Sequence, residues 1–177
     1  SIPKNRINEE IILPHGRGKN VKIALFGSPE MREKAKDVVD VLIPPEEISN
    51  MKDEKSETKK KVNNIDFFLA EAPLMAQVGK NLGVILGPRG KMPRPVPPGA
   101  DPTGIVTGLR KTVKMRSKDR RTFHVAVGTR TMPPEEITEN IEAVLNRLRT
   151  KLERGMMNIH TAYVKTSMGP SIRLEVR

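Results

Sequence analysis

The sequence predicts a mixed protein, an α/β layer followed by an α+β part, on three observations. From Val21 to about Met115 short apolar runs alternate with helix-like stretches. After Met115 the pattern changes to one long amphipathic helix and strands with two-residue periodicity. The length, 177 residues, suits one large domain or two small ones, and 36% hydrophobic content is enough to bury a core.

The elements follow in order. Ile7–Leu13 reads as a strand too short to fold alone, which must pair with the βα layer or with the C-terminal strands. Val21–Phe26 is an apolar strand; Ser28 then caps and Pro29 starts a helix reaching about Lys36. Val38–Ile43 is a second strand, ended by Pro44-Pro45, and Ile65–Ala70 a third. Between them Met51–Lys61 interleaves lysines with Asp53, Glu54 and Glu57, the pattern of an exposed helix face. Leu74, Met75, Val78 and Leu82 have helical spacing after Pro73. Repeated β-α-β units imply a parallel sheet covered by helices, a small Rossmann-like layer. Gly87–Gly104 holds four Gly and six Pro and is expected to form no regular element. A helix from about Thr103 to Val113 follows it.

Beyond Met115, Phe123–Val127 reads as a strand. Pro133-Pro134 opens the clearest helix, with the stripe Ile137, Ile141, Val144, Leu145, Leu148 and Leu152. Glutamates fill its first half and Arg147, Arg149, Lys151 and Arg154 its last, which complements the helix dipole. Ile159–Lys165 and Ser171–Arg177 are strands flanking the turn Thr166–Pro170. In the second, Ile172, Leu174 and Val176 alternate with Arg173, Glu175 and Arg177.

Charge and composition narrow the function. Thirty-two Lys+Arg against 21 Asp+Glu give +11. Between Gly79 and Arg130 twelve cations face only Asp101 and Asp119, a concentration expected of a phosphate-facing surface. With no Cys, a disulfide scaffold, a thiol nucleophile and a cysteine zinc site are excluded, and a reducing compartment is expected. No uninterrupted aliphatic or aromatic run exceeds four residues, so neither a membrane span nor a signal peptide is expected. The expectation is a soluble, intracellular, basic protein. Aromatics are only 3%, too few for rows of stacked rings.

No catalytic constellation emerges. His15, His124 and His160 share no metal-ligand spacing, and the doublets Glu9-Glu10, Glu46-Glu47 and Glu135-Glu136 suit solubility or capping. Gly90-Lys91 and Gly16-Arg17-Gly18-Lys19 both fail the phosphate-loop pattern at the first glycine and at the final hydroxyl. No cofactor and no metal are therefore assigned. The turn at Thr166–Pro170 is more unusual: two hydroxyls able to bond phosphate or ribose, an adaptable Met168, and Gly169 for close backbone approach. The same residues also fit an ordinary hairpin with Met168 tucked against the sheet.

Three strings carry a resemblance. Leu13-Pro-His-Gly-Arg-Gly-Lys19, Gly83-Val-Ile-Leu-Gly-Pro-Arg-Gly-Lys-Met-Pro93 and Tyr163-Val-Lys-Thr-Ser-Met-Gly-Pro170 closely resemble the large-subunit ribosomal protein one (L-one) family, in its archaeal branch. The likeness runs from about Asn5 to Arg177 in the same order. It implies a split α+β domain built from both termini, residues 1–18 and 116–177, with a Rossmann-like domain, 19–115, inserted through two hinge strands. Ile7–Leu13 would then join the C-terminal strands. On those junctions the charge divides as +6 and +5, so that charge does not single out either domain.

The resemblance further implies a protein of the mobile stalk beside the tRNA exit site that binds large-subunit ribosomal RNA. It would also bind its own messenger RNA as a translational repressor, assist release of exit-site tRNA, and be a cytoplasmic monomer when off the ribosome. The family's Thr-Met-Gly turn falls on Ser167, Met168 and Gly169, with Thr166 and Lys165 adjacent. His124 and the edge Arg116, Lys118, Arg120 and Arg121 are further RNA-binding candidates. Arg89, Lys91 and Arg94 form a secondary basic loop. The family pattern has a few tens of residues ahead of the match, so a chain beginning at Ser1 is expected to be a piece of a longer protein. The rival readings are a nucleotide-dependent enzyme using the Rossmann-like layer and a basic scaffold for acidic proteins.

Overall fold

A computed structural model describes residues 6–118 and 120–175, apart from the Lys55 side chain. The chain separates into two compact units, residues 20–110 and residues 1–19 with 111–177.

The 20–110 unit is built on a four-stranded parallel sheet in the order β3-β2-β4-β5, with β2 Ile23–Phe26, β3 Val41–Ile43, β4 Phe67–Glu71 and β5 Arg94–Val96. Its central strands are apolar at every position because both faces are covered. Ala24, Phe26, Phe68 and Ala70 point to one side, toward helices α2 (Pro45–Asp53), α3 (Lys55–Asn64) and α4 (Met75–Arg89). Ile23, Leu25, Phe67 and Leu69 point to the other, toward α1 (Pro29–Ala35) and α5 (Thr103–Arg110). Each phenylalanine on the first face sits across the ladder from an alanine, Phe26 from Ala70 and Phe68 from Ala24. That pairing leaves room for the two rings to stack at 5.7 Å.

The Pro/Gly-rich segment is more regular than its composition suggests. α4 runs through Gly87-Pro88 to Arg89 and ends on Gly90 at φ +66°, where the N–H groups of Gly90 and Lys91 donate to the carbonyls of Gly87 and Leu86. This is the left-handed glycine stop that closes a helix. Pro88 is tolerated because the carbonyl it leaves without its usual helical donor belongs to Val84, on the solvent-facing side of the helix. Arg94–Val96 then adds an edge strand, the one place in a sheet where Pro95 removes no needed donor.

The other unit has two small antiparallel ladders and one long helix. β1 (Asn8–Ile12) pairs with β6 (Thr112–Arg116), correcting the expectation that the first strand joins the C-terminal strands. The predicted helix to Val113 stops at Arg110, because Val113 and Met115 are buried on alternate positions of a strand. α6 (Pro134–Lys151) lays Val144 and Leu148 on Ile7, Leu13, Val113 and Met115. Phe123, Val125 and Val127 pack on the same core, yet Phe123–Val127 forms no ladder among the described residues. Gly155–Asn158 is a short 3₁₀ turn, and β7 (Ala162–Val164) pairs with β8 (Ile172–Leu174). The expected strand end at Val176 and Arg177 lies outside the described residues.

Asn140 fastens this unit. Fully buried on the core side of α6, it donates through Nδ2 to the carbonyls of Gly16 and Val127, both at 2.8 Å. Its Oδ1 accepts the N–H of His15 at 3.2 Å, and the His15 ring meets Glu139 at 2.6 Å. The strand exit Leu13–Gly18 and the Phe123–Val127 segment are thus held to one helix by one amide. Gly16 and Gly18 both take φ +67°, and a side chain on Gly18 would strike Thr129 and Met132. Asn140→Ala is expected to lower unfolding free energy by about 2 kcal/mol in urea titration, since it strands one buried and two part-buried backbone groups. Asn140→Asp, which sets a carboxylate against two carbonyls, is expected to cost at least as much.

β1 is also tied to α6 by charge. Glu9 bonds Lys151 at 2.7 Å and Arg147 at 2.8 Å, and Glu10 pairs with Lys114 at 3.3 Å. The hydrogen bond from Lys151, with the nearby Arg147 charge, holds the Glu9 carboxyl below its ordinary value despite partial desolvation. A depressed carboxyl stabilises the fold above its unfolded pKa, and that contribution is lost as pH falls through the folded value. Glu9→Gln is accordingly expected to lower stability by about 0.5–1 kcal/mol at pH 7. The difference from wild type should vanish in denaturation curves taken below the carboxylate range.

Candidate nucleic-acid interface

The turn singled out in the sequence sits at the tip of the β7–β8 hairpin. The Gly169 N–H donates to the Thr166 carbonyl at 3.3 Å, closing a four-residue turn with Ser167 and Met168 at its centre. A Cβ on Gly169 would collide with the Thr166 hydroxyl, so glycine is required here for close approach, not for an unusual φ. Met168 is 98% exposed, which rules out the reading in which it tucks against the sheet. An apolar side chain held fully in water at a turn is a surface feature that packing does not explain. Lys165, Thr166 and Ser167 are exposed beside it, and neither hydroxyl has a hydrogen-bond partner among the described residues. The tip therefore offers two unpartnered hydroxyls, an apolar contact and an ammonium within five residues.

The second candidate set lies on a separate loop of the same unit. Arg116 ends β6, half-buried, and Lys118, Arg120 and Arg121 are exposed in the turn beyond it. Ser117 anchors that turn: its hydroxyl accepts the Ile7 N–H at 3.0 Å and its own N–H donates to the Ile7 carbonyl at 2.9 Å. Lys118 takes φ +50°, a left-handed value uncommon for a residue with a side chain. His124 is exposed on the extended segment that follows.

Arg89, Lys91 and Arg94 belong to the other unit, and the first two bond their own unit: Lys91 half-buried, Arg89 exposed. The Lys91 ammonium donates to the carbonyls of Val62 at 2.8 Å, Asn63 at 3.2 Å and Ile65 at 2.5 Å, capping the end of α3. Arg89 bonds Asn63 Oδ1 at 3.1 Å and the Ile85 carbonyl at 3.0 Å. These donors are spent on the fold. Lys91→Met is expected to lower stability by about 1–2 kcal/mol in thermal or urea unfolding. It should leave RNA affinity within about twofold, where a phosphate contact would have cost more.

Two observations count against a nucleotide site in the α/β unit. Glu71, 9% exposed at the end of β4, accepts the Ser28 N–H at 2.9 Å. It sits between the ends of β2 and β4, the switch point where such sheets bind phosphates, and fills it with negative charge. A groove of about 440 Å³ beside α2 and α3 is walled by Glu46, Glu47, Glu54 and Glu57, which would repel phosphate. Among the described residues no His, Asp and Glu cluster could hold a metal, and no helix is long and apolar enough to cross a membrane.

Charge follows the observed division more sharply than the expected one. Because Lys19, Lys111 and Lys114 fall in the terminal unit, it carries 18 Lys+Arg against 9 Asp+Glu, or +9. The 20–110 unit carries 14 against 12, or +2. The even partition expected from the sequence is thus corrected, and the basic unit is the one bearing the hairpin. Sequence reading also passed over Asn140, although the spacing 137, 140, 144, 148 puts it on the core stripe of α6.

Comparison with known proteins completes the site. The family model described as the Ribosomal protein L1p/L10e family matches residues 1–170. A protein named large ribosomal subunit protein uL1 from Thermoplasma volcanium is 56% identical over 172 residues, 97% of this chain and 79% of its own length. Its namesake from Thermoplasma acidophilum is 56% identical, covering 99% of this chain and 81% of its own length. The one from Haloferax volcanii is 44% identical, covering 97% and 81%. The chain belongs to the Ribosomal protein L1p/L10e family, a family of ribosomal proteins and not of enzymes.

Proposed function

We propose that this protein is a structural constituent of the large ribosomal subunit that binds ribosomal RNA of the mobile stalk near the tRNA exit site. The relatives' shared name supports the subunit, and the exposed tip of the β7–β8 hairpin supports the mode of binding. Residues 1–18 with 116–177 act as the RNA-binding domain, and residues 19–115 as an inserted domain. The protein works in the cytoplasm, on the ribosome, assists departure of deacylated tRNA, and represses translation by binding its own messenger RNA.

The mechanism is division of labour between attraction and recognition. The +6 of residues 1–18 with 116–177 draws RNA in and neutralises phosphates, with Arg116, Lys118, Arg120, Arg121, His124 and Lys165 as donors. That attraction carries no sequence or shape information. Discrimination falls to the turn, where the Thr166 and Ser167 hydroxyls meet 2′-hydroxyls or phosphates. Met168 lies against a sugar or base edge, and the tight Gly169 corner lets the backbone come close. The observation that carries this reading is the full exposure of Met168 directly after two unpartnered hydroxyls.

Met168→Asp tests it. Filter binding to an in vitro transcript of archaeal large-subunit ribosomal RNA should show at least about a hundredfold loss, ~2.7 kcal/mol. Circular dichroism and the unfolding midpoint should stay as in wild type, since the side chain packs on nothing. Wild-type affinity should fall with log salt by about 0.7–0.9 per neutralised phosphate. Unchanged affinity in the variant would remove the turn from the interface.

A further inference from the structure

One ring on the same hairpin is left unused by a contact confined to its tip. The sequence has a single tyrosine and no tryptophan. That tyrosine, Tyr163, lies in β7 with 56% of its surface exposed. Its cross-strand partner is Arg173 of β8, so the two side chains share a face. Lys165, two residues along and just beyond the strand, is exposed as well. Val164 and Leu174, both half-buried, take the opposite face. Among the described residues, the side chains of Tyr163, Lys165 and Arg173 make no hydrogen bond, ion pair or ring contact. The single acid of the hairpin is Glu175, two residues beyond Arg173 and so on the same side of β8 as Arg173, away from the turn. The face is therefore a bare ring flanked by two uncommitted cations, running directly into the turn at Thr166–Gly169.

Packing gives no reason for this arrangement, because an exposed three-residue strand would be served as well by threonine or lysine. A flat ring between two cations does match a particular chemistry: an unpaired base has a π-face to stack, and its two flanking phosphates need neutralising. An acidic peptide would use the cations but leave the ring face without a partner. We propose that the Tyr163–Arg173 face is a second RNA-contacting surface. Tyr163 stacks on one unpaired base adjoining the segment gripped by the turn, and Arg173 and Lys165 bind the phosphates on either side. The inference rests on the RNA-binding reading above and extends it from backbone shape to a splayed nucleotide.

The absence of tryptophan makes the test direct, because tyrosine emission from this 177-residue chain reports Tyr163 alone. Titration with an in vitro transcript of the large-subunit ribosomal RNA of Thermoplasma acidophilum, corrected for absorption by the RNA, should quench that emission at saturation. Tyr163→Ala should weaken binding about 5- to 150-fold, the range seen when a stacking ring is removed. Tyr163→Phe, which keeps the ring, should stay within about threefold of wild type. Arg173→Gln should reduce the salt slope by about 0.7–0.9, one phosphate, while Tyr163→Ala leaves the slope as it was. Unquenched emission at saturation overturns the proposal, as does equal loss in the Ala and Phe variants, which would assign the effect to the hydroxyl. If Met168→Asp loses binding and Tyr163→Ala does not, the turn stands and this face falls. If wild type fails to bind the transcript above a non-specific RNA, the underlying reading fails and takes the proposal with it.

Discussion

A buried side-chain amide cannot be left half satisfied, and in the terminal unit Asn140 spends both its donors and its acceptor on backbone groups from distant parts of the chain. His15 and Gly16 come from the strand exit near the N-terminus and Val127 from the segment after β6, while the amide itself sits on α6. The unit has only two-stranded ladders, which are marginal alone, so its cohesion has to come from elsewhere. It comes from α6, through Val144 and Leu148 in the core, Asn140 at one end and the Glu9 ion pairs toward the other. The β7–β8 hairpin follows directly on the turn that leaves this helix. A hairpin as exposed as this one depends on a frame fixed by polar contacts as much as by apolar burial.

The two units handle charge in opposite ways. In residues 20–110 cations are turned to internal use: Lys91 caps α3, Arg89 holds Asn63, Arg110 bonds the Val38 carbonyl at 2.9 Å. Acids offset the rest and leave +2. In the terminal unit Glu9 of β1 and Glu139 of α6 are matched by partners, while Lys118, Arg120, Arg121, Lys165 and Arg173 are exposed. A basic surface of this kind binds polyanions broadly. In the proposed reading, selectivity comes from the short uncharged tip with its exposed hydroxyls and methionine.

Much of this was legible in the sequence where the chain answers to local rules. The strands Ile23–Phe26 and Phe67–Glu71 are buried on both faces, so they read as unbroken apolar runs, and α6 carries its stripe and charge order openly. The turn at Thr166–Gly169 stood out by residue type alone. What escaped depended on partners far along the chain. β6 reads as a helix tail because Lys114 and Arg116 interrupt its apolar positions, and only β1 across the ladder makes it a strand. Lys91 in a Pro/Gly-rich loop looks like a phosphate ligand until the end of α3 is seen to lie against it. Asn140 looks like a solvent position, since polarity hides its place on the stripe.

If RNA is recognised by the hairpin of the terminal unit, as proposed, binding protects amides of that hairpin and not those of the α/β unit. Amide hydrogen exchange of the full chain, with and without an archaeal large-subunit ribosomal RNA transcript, measures this directly. The account expects slowed exchange concentrated in residues 161–175, with weaker protection at 116–124 and none at 87–96. Protection centred on 87–96, with the hairpin exchanging as freely as in the unbound protein, would contradict it.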